Sequence, residues 1–354
     1  MAPQQAGQFR QLPLIPKSLL RKHRVLETFD TRYRACARML QALWREEQQL
    51  PIGVHDAPDG RQRRIGSLIS ATAASAGRNF LSANVAHLAA YEMVYQERGA
   101  LIDQRRLFSN LLSSAPLALN LFAPLRFDLD LAARVVRNLI PGIDLAHVQE
   151  VRFETSPGRD QPALTADKTA WDVAIIYGRT DGEKGLLAIE QKYSESGNCA
   201  AGDLGPRFNA LAVSSELYKA PMSAVLRTGP CQQLFREHLL AFVALHRGDY
   251  AEATFMLVAP RHNHLIQQGA GLYSSHLLEP CPGGIPFLNV ELERVIEAIA
   301  WCGEFDYAQA LYDRYCNFIK VDLAVEETLR ATAKSWVLVP RAKPQALGLL
   351  SKAA

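Results

Sequence analysis

Ala170-Trp171-Asp172-Val173-Ala174-Ile175-Ile176-Tyr177-Gly178 and Gly185-Leu186-Leu187-Ala188-Ile189-Glu190-Gln191-Lys192-Tyr193 are the stretches that decide the fold. Each is a short apolar run of strand length, and the polar tip at 179–184 carries Asp181-Gly182 as a turn signal. Together they predict an antiparallel hairpin. In the first strand Trp171, Val173, Ile175 and Tyr177 are expected on one face, with Asp172 on the other beside Ala174 and Ile176. In the second, Leu187 and Ile189 share one face, and Glu190 and Lys192 share the opposite one. Centring the turn on Asp181 puts Asp172 opposite Glu190, where directly opposed Cβ atoms lie about 4.5–5.5 Å apart.

A carboxylate inside an apolar run is costly unless it is paired or binds a metal. Two carboxylates this close repel unless a cation lies between them. Hard oxygen donors of this kind suit Mg²⁺ or Mn²⁺, which keep several waters and take one or two carboxylates plus substrate phosphate. Lys192, on the same face, is placed to orient water and to stabilise charge developing on phosphate. The arrangement therefore points to metal-dependent phosphodiester hydrolysis, with Asp172, Glu190 and Lys192 as its centre. Glu-x-Lys alone is common, and a surface hairpin with a cross-strand Lys–Glu pair is the bland alternative. Asp172 and Glu190 on opposite faces would mark an unrelated α/β protein with a chance motif.

Outward from the hairpin, 128–139 reads as a helix and 147–154 as a strand. A long helix follows at 230–246, a strand at 254–259, a further strand at 286–290, and helices at 291–300 and 306–318. Helix, strand, strand, strand, helix, strand is an α/β (α+β) layout, a mixed sheet flanked by helices. Upstream, 1–25 reads as a loose arm. A helix begins near Phe29, with Phe29, Tyr33, Cys36, Leu40 and Leu43 on its apolar stripe. The stretch 51–64 reads as a polar loop, Ser82 caps a helix, and 105–121 is an apolar segment broken at Pro116. The expected organisation is a helical N-terminal region (1–125), an α/β core (126–320) and a C-terminal tail (321–354).

Composition adds bounds. The chain has 354 residues, 48% of them apolar, enough for a sizeable core. No run approaches the roughly 20 apolar residues of a membrane helix, and no signal peptide is read at the N-terminus. Six cysteines (Cys36, Cys199, Cys231, Cys281, Cys302 and Cys316) lack zinc spacing and read as free thiols in a reducing cytoplasm. Net charge is +3, but residues 1–70 carry 12 Lys/Arg against 6 Asp/Glu. A basic front end suits a nucleic-acid partner, or equally forms a solvated helical face.

Asp172 followed by Glu190-Gln191-Lys192 at the end of an apolar strand resembles the PD-(D/E)xK nuclease superfamily. More specifically, the chain resembles a bacterial family of restriction-endonuclease-like proteins within it. The stretches that carry the resemblance include Trp44-Arg45-Glu46-Glu47, Gly77-Arg78-Asn79-Phe80-Leu81, Asn110-Leu111-Leu112-Ser113-Ser114, Phe153-Glu154-Thr155-Ser156-Pro157-Gly158-Arg159 and Ile189-Glu190-Gln191-Lys192-Tyr193-Ser194-Glu195. Ala170-Trp171-Asp172 stands where the superfamily has Pro-Asp, and the proline supplies no ligand.

The resemblance implies a restriction-endonuclease-like core and an Mg-dependent endodeoxyribonuclease acting on DNA. Asp172 and Glu190 would be metal ligands and Lys192 the catalytic lysine. It also implies an upstream acid, with Glu154 as the candidate and Glu150 as its rival. Arg159 would touch phosphate. Gln233 and Arg236, three apart on one helix face, would bind substrate near the site. His262 and His264 read as ordinary surface histidines. Cutting both strands would favour a homodimer. The alternative is a catalytically silent nucleic-acid-binding or interaction protein that kept the nuclease fold.

Overall fold

The computed structural model describes residues 11–57, 59–100, 102–197, 204–279, 281 and 284–337. Its strands are β1 (Ile52–Asp56), β2 (Gln62–Ile69), β3 (His147–Thr155), β4 (Trp171–Gly178), β5 (Lys184–Gln191), β6 (Glu252–Ala259) and β7 (Phe287–Glu291). β1 and β2 form a separate hairpin. The other five make one mixed sheet in the order β3-β4-β5-β6-β7. The first three are antiparallel neighbours, and β6 and β7 are added in parallel. The α/β expectation, with a mixed sheet flanked by helices, therefore holds.

Both faces of this sheet are covered, which is why β6 reads as a continuous apolar run. Leu234, Phe235, Leu239 and Phe242 of the helix Gln232–His246 pack on one face, against Ala174, Ile176, Leu186, Ala188, Phe255 and Leu257. On the other face Val173, Ile175, Tyr177, Leu187, Ile189, Met256 and Val258 share one apolar cluster with many helices. Those helices include Arg32–Glu47, Ser114–Phe127, Leu129–Leu139, Leu292–Trp301 and Phe305–Tyr315. Residues as far apart as Leu12 and Val325 belong to that cluster. At the tip of the β4–β5 hairpin Gly182 takes φ +88°, a left-handed turn conformation that glycine adopts freely. Gly185 faces Tyr177, whose ring occupies the space a Cβ would need.

Several local expectations change. The segment read as a loose arm contains a helix at Lys17–Lys22, with Leu12, Leu19, Leu20 and Val25 buried; residues 1–10 lie outside the described residues. The next helix starts at Arg32, after Thr31 caps it by accepting from the Arg34 N–H at 3.2 Å. Phe29 precedes that cap and is 97% exposed, so it is not on the apolar stripe. The predicted loop at 51–64 is instead the β1–β2 hairpin, fastened by Arg45, which donates to the carbonyls of Gly66 (2.9 Å) and Leu50 (2.8 Å). Pro116 breaks nothing. It lies in the first turn of Ser114–Phe127, where a missing N–H costs little, and the interruption falls at 110–113. The expected C-terminal tail begins as the helix Ile319–Val337, whose Val321 and Val325 enter the core. Helices at Pro206–Ser214 and His264–Ser275 also went unpredicted.

Cys36, Cys231, Cys281, Cys302 and Cys316 are free thiols; Cys199 lies outside the described residues. No helix among the described residues is long and apolar enough to cross a membrane.

Candidate active site

The hairpin register is the predicted one at every paired position, from Gly178↔Lys184 to Val173↔Ile189. That ladder ends one residue short of Asp172 and Glu190, which face each other across the strand ends. On the far side of β4, the pairs Phe153↔Val173 and Thr155↔Trp171 bracket Glu154 and Asp172. Three carboxylates thus line up on three adjacent strands: Glu154, Asp172 and Glu190. Glu150, the rival to Glu154, sits further back along β3 and pairs with Arg152 at 2.7 Å.

Asp172 Oδ2 accepts the Gln191 N–H at 2.8 Å, a backbone bond that fixes one carboxylate oxygen beside Glu190. Glu190 is buried and accepts from Lys192 Nζ and from Gln233 Nε2 (2.7 Å). Lys192 Nζ also donates to Gln233 Oε1 at 2.7 Å. Gln233 Nε2 reaches a fourth acid, Glu237, at 2.8 Å. Glu237 lies one helical turn after Gln233 and is buried, and its Oε2 has no hydrogen-bond partner among the described residues.

One face assignment fails. Trp171 packs with Ala174 and Ile176 rather than with Val173, and its indole N–H donates to the Glu237 carbonyl at 3.1 Å. A buried indole N–H needs an acceptor. With the β4–β5 ladder finished, Trp171 is free to leave the alternation and take one.

So many acids in one place disturb each other. Desolvation, then the charge of Glu190 and that of Glu154, hold the Asp172 carboxyl well above the usual carboxylate range; Lys192 and the Gln191 N–H pull the other way. Desolvation and Glu190 likewise push Glu237 well up. Glu154 is raised by burial and by Glu190, against Arg159. For Lys192, burial opposes the charge, but Glu190, Asp172, Glu195 and Glu237 outweigh it, so its pKa is raised and it stays an ammonium at neutral pH. Such a lysine donates hydrogen bonds and positive charge; it does not accept a proton.

The raised acids fix a sign. A carboxyl whose folded pKa exceeds its unfolded one makes the native state bind more protons, so stability falls as pH rises through the interval between the two. Glu237→Gln removes one such charge and keeps the shape. It should stabilise the metal-free protein by about 0.5–2 kcal/mol at pH 8, in the range of ordinary stabilising substitutions. The gain should shrink toward pH 5. Urea titrations at the two pH values check this, and an equal or reversed effect would show that Glu237 is not strained by its charge.

The other expected residues are placed differently. The Arg159 side chain is covered, and its guanidinium donates to Glu97 (3.2 Å), the Lys168 carbonyl (2.9 Å) and the Glu154 carbonyl (2.7 Å). It braces Glu154, which has φ +45°, a left-handed conformation unfavourable for a residue with a Cβ. Arg236 donates to Asp167 and to Thr169 Oγ1 (3.4 Å), joining its helix to the loop between β3 and β4. Gln233 of the helix pair reaches Glu190 and Glu237. The rings of His262 and His264 lie 6.4 Å apart, edge to face.

Sequence reasoning passed over Glu237 and Glu195. Glu237 had a signal, as an acid one turn from Gln233 in a helix that is otherwise apolar from Leu239 to Leu245. Glu195 accepts from the Tyr193 N–H (2.7 Å) and from the Ser114 N–H at a helix start (3.2 Å). Strand alternation alone does not show such a loop contact.

As the side chains stand, no three His, Cys, Asp or Glu among the described residues converge as a metal site. Two facing carboxylates are nevertheless the donor number that Mg²⁺ takes from a protein. Their mutual repulsion, visible in the raised Asp172, is what a divalent cation would relieve. The donor set therefore fits such an ion. A model of the PD-(D/E)XK nuclease superfamily matches residues 28–317. No curated protein and no solved structure matches the chain.

Proposed function

Because the chain belongs to the PD-(D/E)XK nuclease superfamily, whose chemistry is phosphodiester hydrolysis with divalent metal ions in general, we propose that it is an Mg²⁺- or Mn²⁺-dependent endonuclease acting on DNA. The observation that carries this reading is the row Glu154, Asp172, Glu190 across three strands, with Lys192 as its one neutralising ammonium. Asp172 and Glu190 would hold the ion, and Glu154 stands next in line. When bound, such an ion supplies positive charge to the phosphate and acidifies water.

The chain's own groups do the rest. Lys192, always charged, donates toward a phosphate oxygen and offsets the charge that builds there. Gln233, with its carbonyl on Lys192 and its amide on Glu190, sets the distance between the two. Arg159 and Arg236 are positioning residues for Glu154 and for the β3–β4 loop. The helix Gln232–His246, seated across β5 and β6, keeps water from the back of the site.

The test is incubation of plasmid, linear and single-stranded DNA, and of RNA, with wild-type protein in Mg²⁺, Mn²⁺ or EDTA. Cleavage of DNA that EDTA stops and Asp172→Ala abolishes is expected. Folded protein that binds DNA but cuts nothing with either ion would favour a silent binding module. Cleavage confined to RNA would overturn the substrate assignment.

A further inference from the structure

We infer that the surface where the helix Lys17–Lys22 meets β2 docks the phosphate backbone of duplex DNA, outside the carboxylate site. The inference rests on the proposed nuclease reading for its choice of DNA. From Lys17 to Leu26 the chain carries Lys17, Arg21, Lys22 and Arg24 and no Asp or Glu, and Arg61-Gln62-Arg63-Arg64 leads into β2. The fold brings these two stretches together. Gly66 of β2 donates its N–H to the Arg24 carbonyl at 2.9 Å, and Arg63 pairs with Glu27 at 2.6 Å, so residues 24–27 run along β2 in the opposite sense. A Cβ on Gly66 would strike the His23 carbonyl oxygen, so glycine is what allows the approach. Arg24 itself has φ +56°, a left-handed conformation that costs energy for a residue with a Cβ.

Nearby acids do not cancel this charge. Glu27 is taken by Arg63, Asp59 by Arg61 (3.3 Å), Asp56 by Arg105 (3.1 Å) and Glu46 by Arg45 (2.7 Å). Lys17, Arg21, Lys22, Arg24 and Arg64 are all exposed, and none of them forms an ion pair among the described residues. Lys17 and Arg21 stand four apart on one helix, where like charges repel. Cations held together in this way gain when phosphates replace their counter-ions. Arginine, whose fork matches phosphate, is the commoner residue among them.

The occupant follows from the rest of the surface. Single strands are held by aromatic side chains set between the cations, one for each of several bases. Residues 17–22, 24 and 61–64 contain no Phe, Tyr or Trp, and Phe29, beyond Glu27, is a single exposed ring. A lipid surface needs an apolar face beside the charge. The helix Lys17–Lys22 buries Leu19 and Leu20 in the protein and leaves Lys17, Ser18, Arg21 and Lys22 exposed. Phosphates on a stiff backbone suit cations on fixed elements, and from Gly66 to Arg61 the chain covers about 17 Å, roughly five base-pair steps of a duplex. The surface is also tied to the site. Arg45 donates to the Gly66 carbonyl at 2.9 Å, and Gln41, one turn earlier on the same helix, donates to the Tyr193 hydroxyl at 3.0 Å, next to Lys192. That path is shorter than one duplex turn of about 34 Å, so a duplex docked here lies within reach of the carboxylates.

Binding can be tested without catalysis, by fluorescence anisotropy of a short fluorescein-labelled duplex in EDTA over a range of salt. The double variant Arg21→Ala/Arg64→Ala takes one cation from each side of the surface. It should bind about tenfold more weakly and lower the slope of log affinity against log salt by about two, one for each lost phosphate contact. Lys184→Ala/Arg330→Ala removes the same charge from exposed positions on β5 and on the helix Ile319–Val337, and should bind like wild type. All four side chains are exposed, so thermal unfolding of both variants should match wild type. An unchanged slope in Arg21→Ala/Arg64→Ala, an equal loss in the control pair, or tighter binding of the single strand than of the duplex would overturn the inference. Capture on phosphatidylserine vesicles that Arg21→Ala/Arg64→Ala loses, with no loss on duplex, would give the surface to a membrane instead. Cleavage in Mg²⁺ beside unchanged duplex binding in this variant would leave the nuclease standing and this surface idle. Duplex binding that falls as expected, without cleavage in any divalent ion, would do the reverse.

Discussion

Lys192→Ala should slow metal-dependent cleavage by on the order of 10²–10³ or more, the cost of removing one preorganised charge donor from an active site. The same change should destabilise the metal-free protein, because it leaves Glu190 buried without its ammonium partner. Breaking a buried ion pair from one side costs about 3–5 kcal/mol, and here Gln233 Nε2 remains to offset part of that. Added Mg²⁺ or Mn²⁺ should restore much of the lost stability, since a cation can do for Glu190 what Lys192 did. Activity should not return with it. The two readouts separate the roles: rate reports the lysine at the phosphate, and melting temperature reports the lysine as counter-ion. A variant that melts like wild type and cuts like wild type would remove Lys192 from the mechanism.

How far the sequence foretold this site depends on the range of the interaction concerned. The hairpin register follows from a five-residue connection and one turn signal, so Asp172 opposite Glu190 was legible. The alternation of Val173, Ile175 and Tyr177 against Ala174 and Ile176 was legible for the same local reason. Trp171 was not, because its orientation answers to the Glu237 carbonyl on a distant helix. Arg159 looks like any loop arginine until its partners are seen: Glu97 from the loop after the helix Ala83–Val94, and the strained backbone of Glu154. The β1–β2 hairpin escaped notice because Gln62, Arg63 and Arg64 are exposed and polar, which hides strand periodicity. What covers the sheet on its far side was equally hidden, since amphipathic helices do not announce their partners. The N-terminal region proves to be wedged against the loop that follows β5. Tyr33 donates to the Tyr193 carbonyl at 2.9 Å, and Ser194 Oγ to that of Leu112 at 2.9 Å.

Arg314→Ala should have the largest effect on stability, about 3–5 kcal/mol, the range for emptying a fully buried polar site. Arg314 is 0% exposed and forms no ion pair with a carboxylate among the described residues. Its guanidinium donates to the Asn79 carbonyl (2.7 Å), to Asn79 Oδ1 (2.5 Å) and to Gln41 Oε1 (3.4 Å). It also lies over the Trp44 ring, 4.0 Å from the centroid, and near that of Tyr315 at 4.8 Å. Such a desolvated cation–π contact is worth about 2 kcal/mol or more. The residue therefore joins three segments distant in sequence, and alanine loses the stacking and the hydrogen bonds together. Arg314→Met keeps most of the volume and should cost clearly less. The difference between the two midpoints in urea measures packing against bonding. The consequence extends to the site: Gln41 also bonds the Tyr193 hydroxyl at 3.0 Å and the Arg314 carbonyl at 2.7 Å, and Tyr193 directly follows Lys192. Loosening Arg314 should therefore lower cleavage at temperatures where the protein is still folded. Full activity in an Arg314→Ala protein with a wild-type urea midpoint would show that this buried guanidinium holds nothing the fold needs.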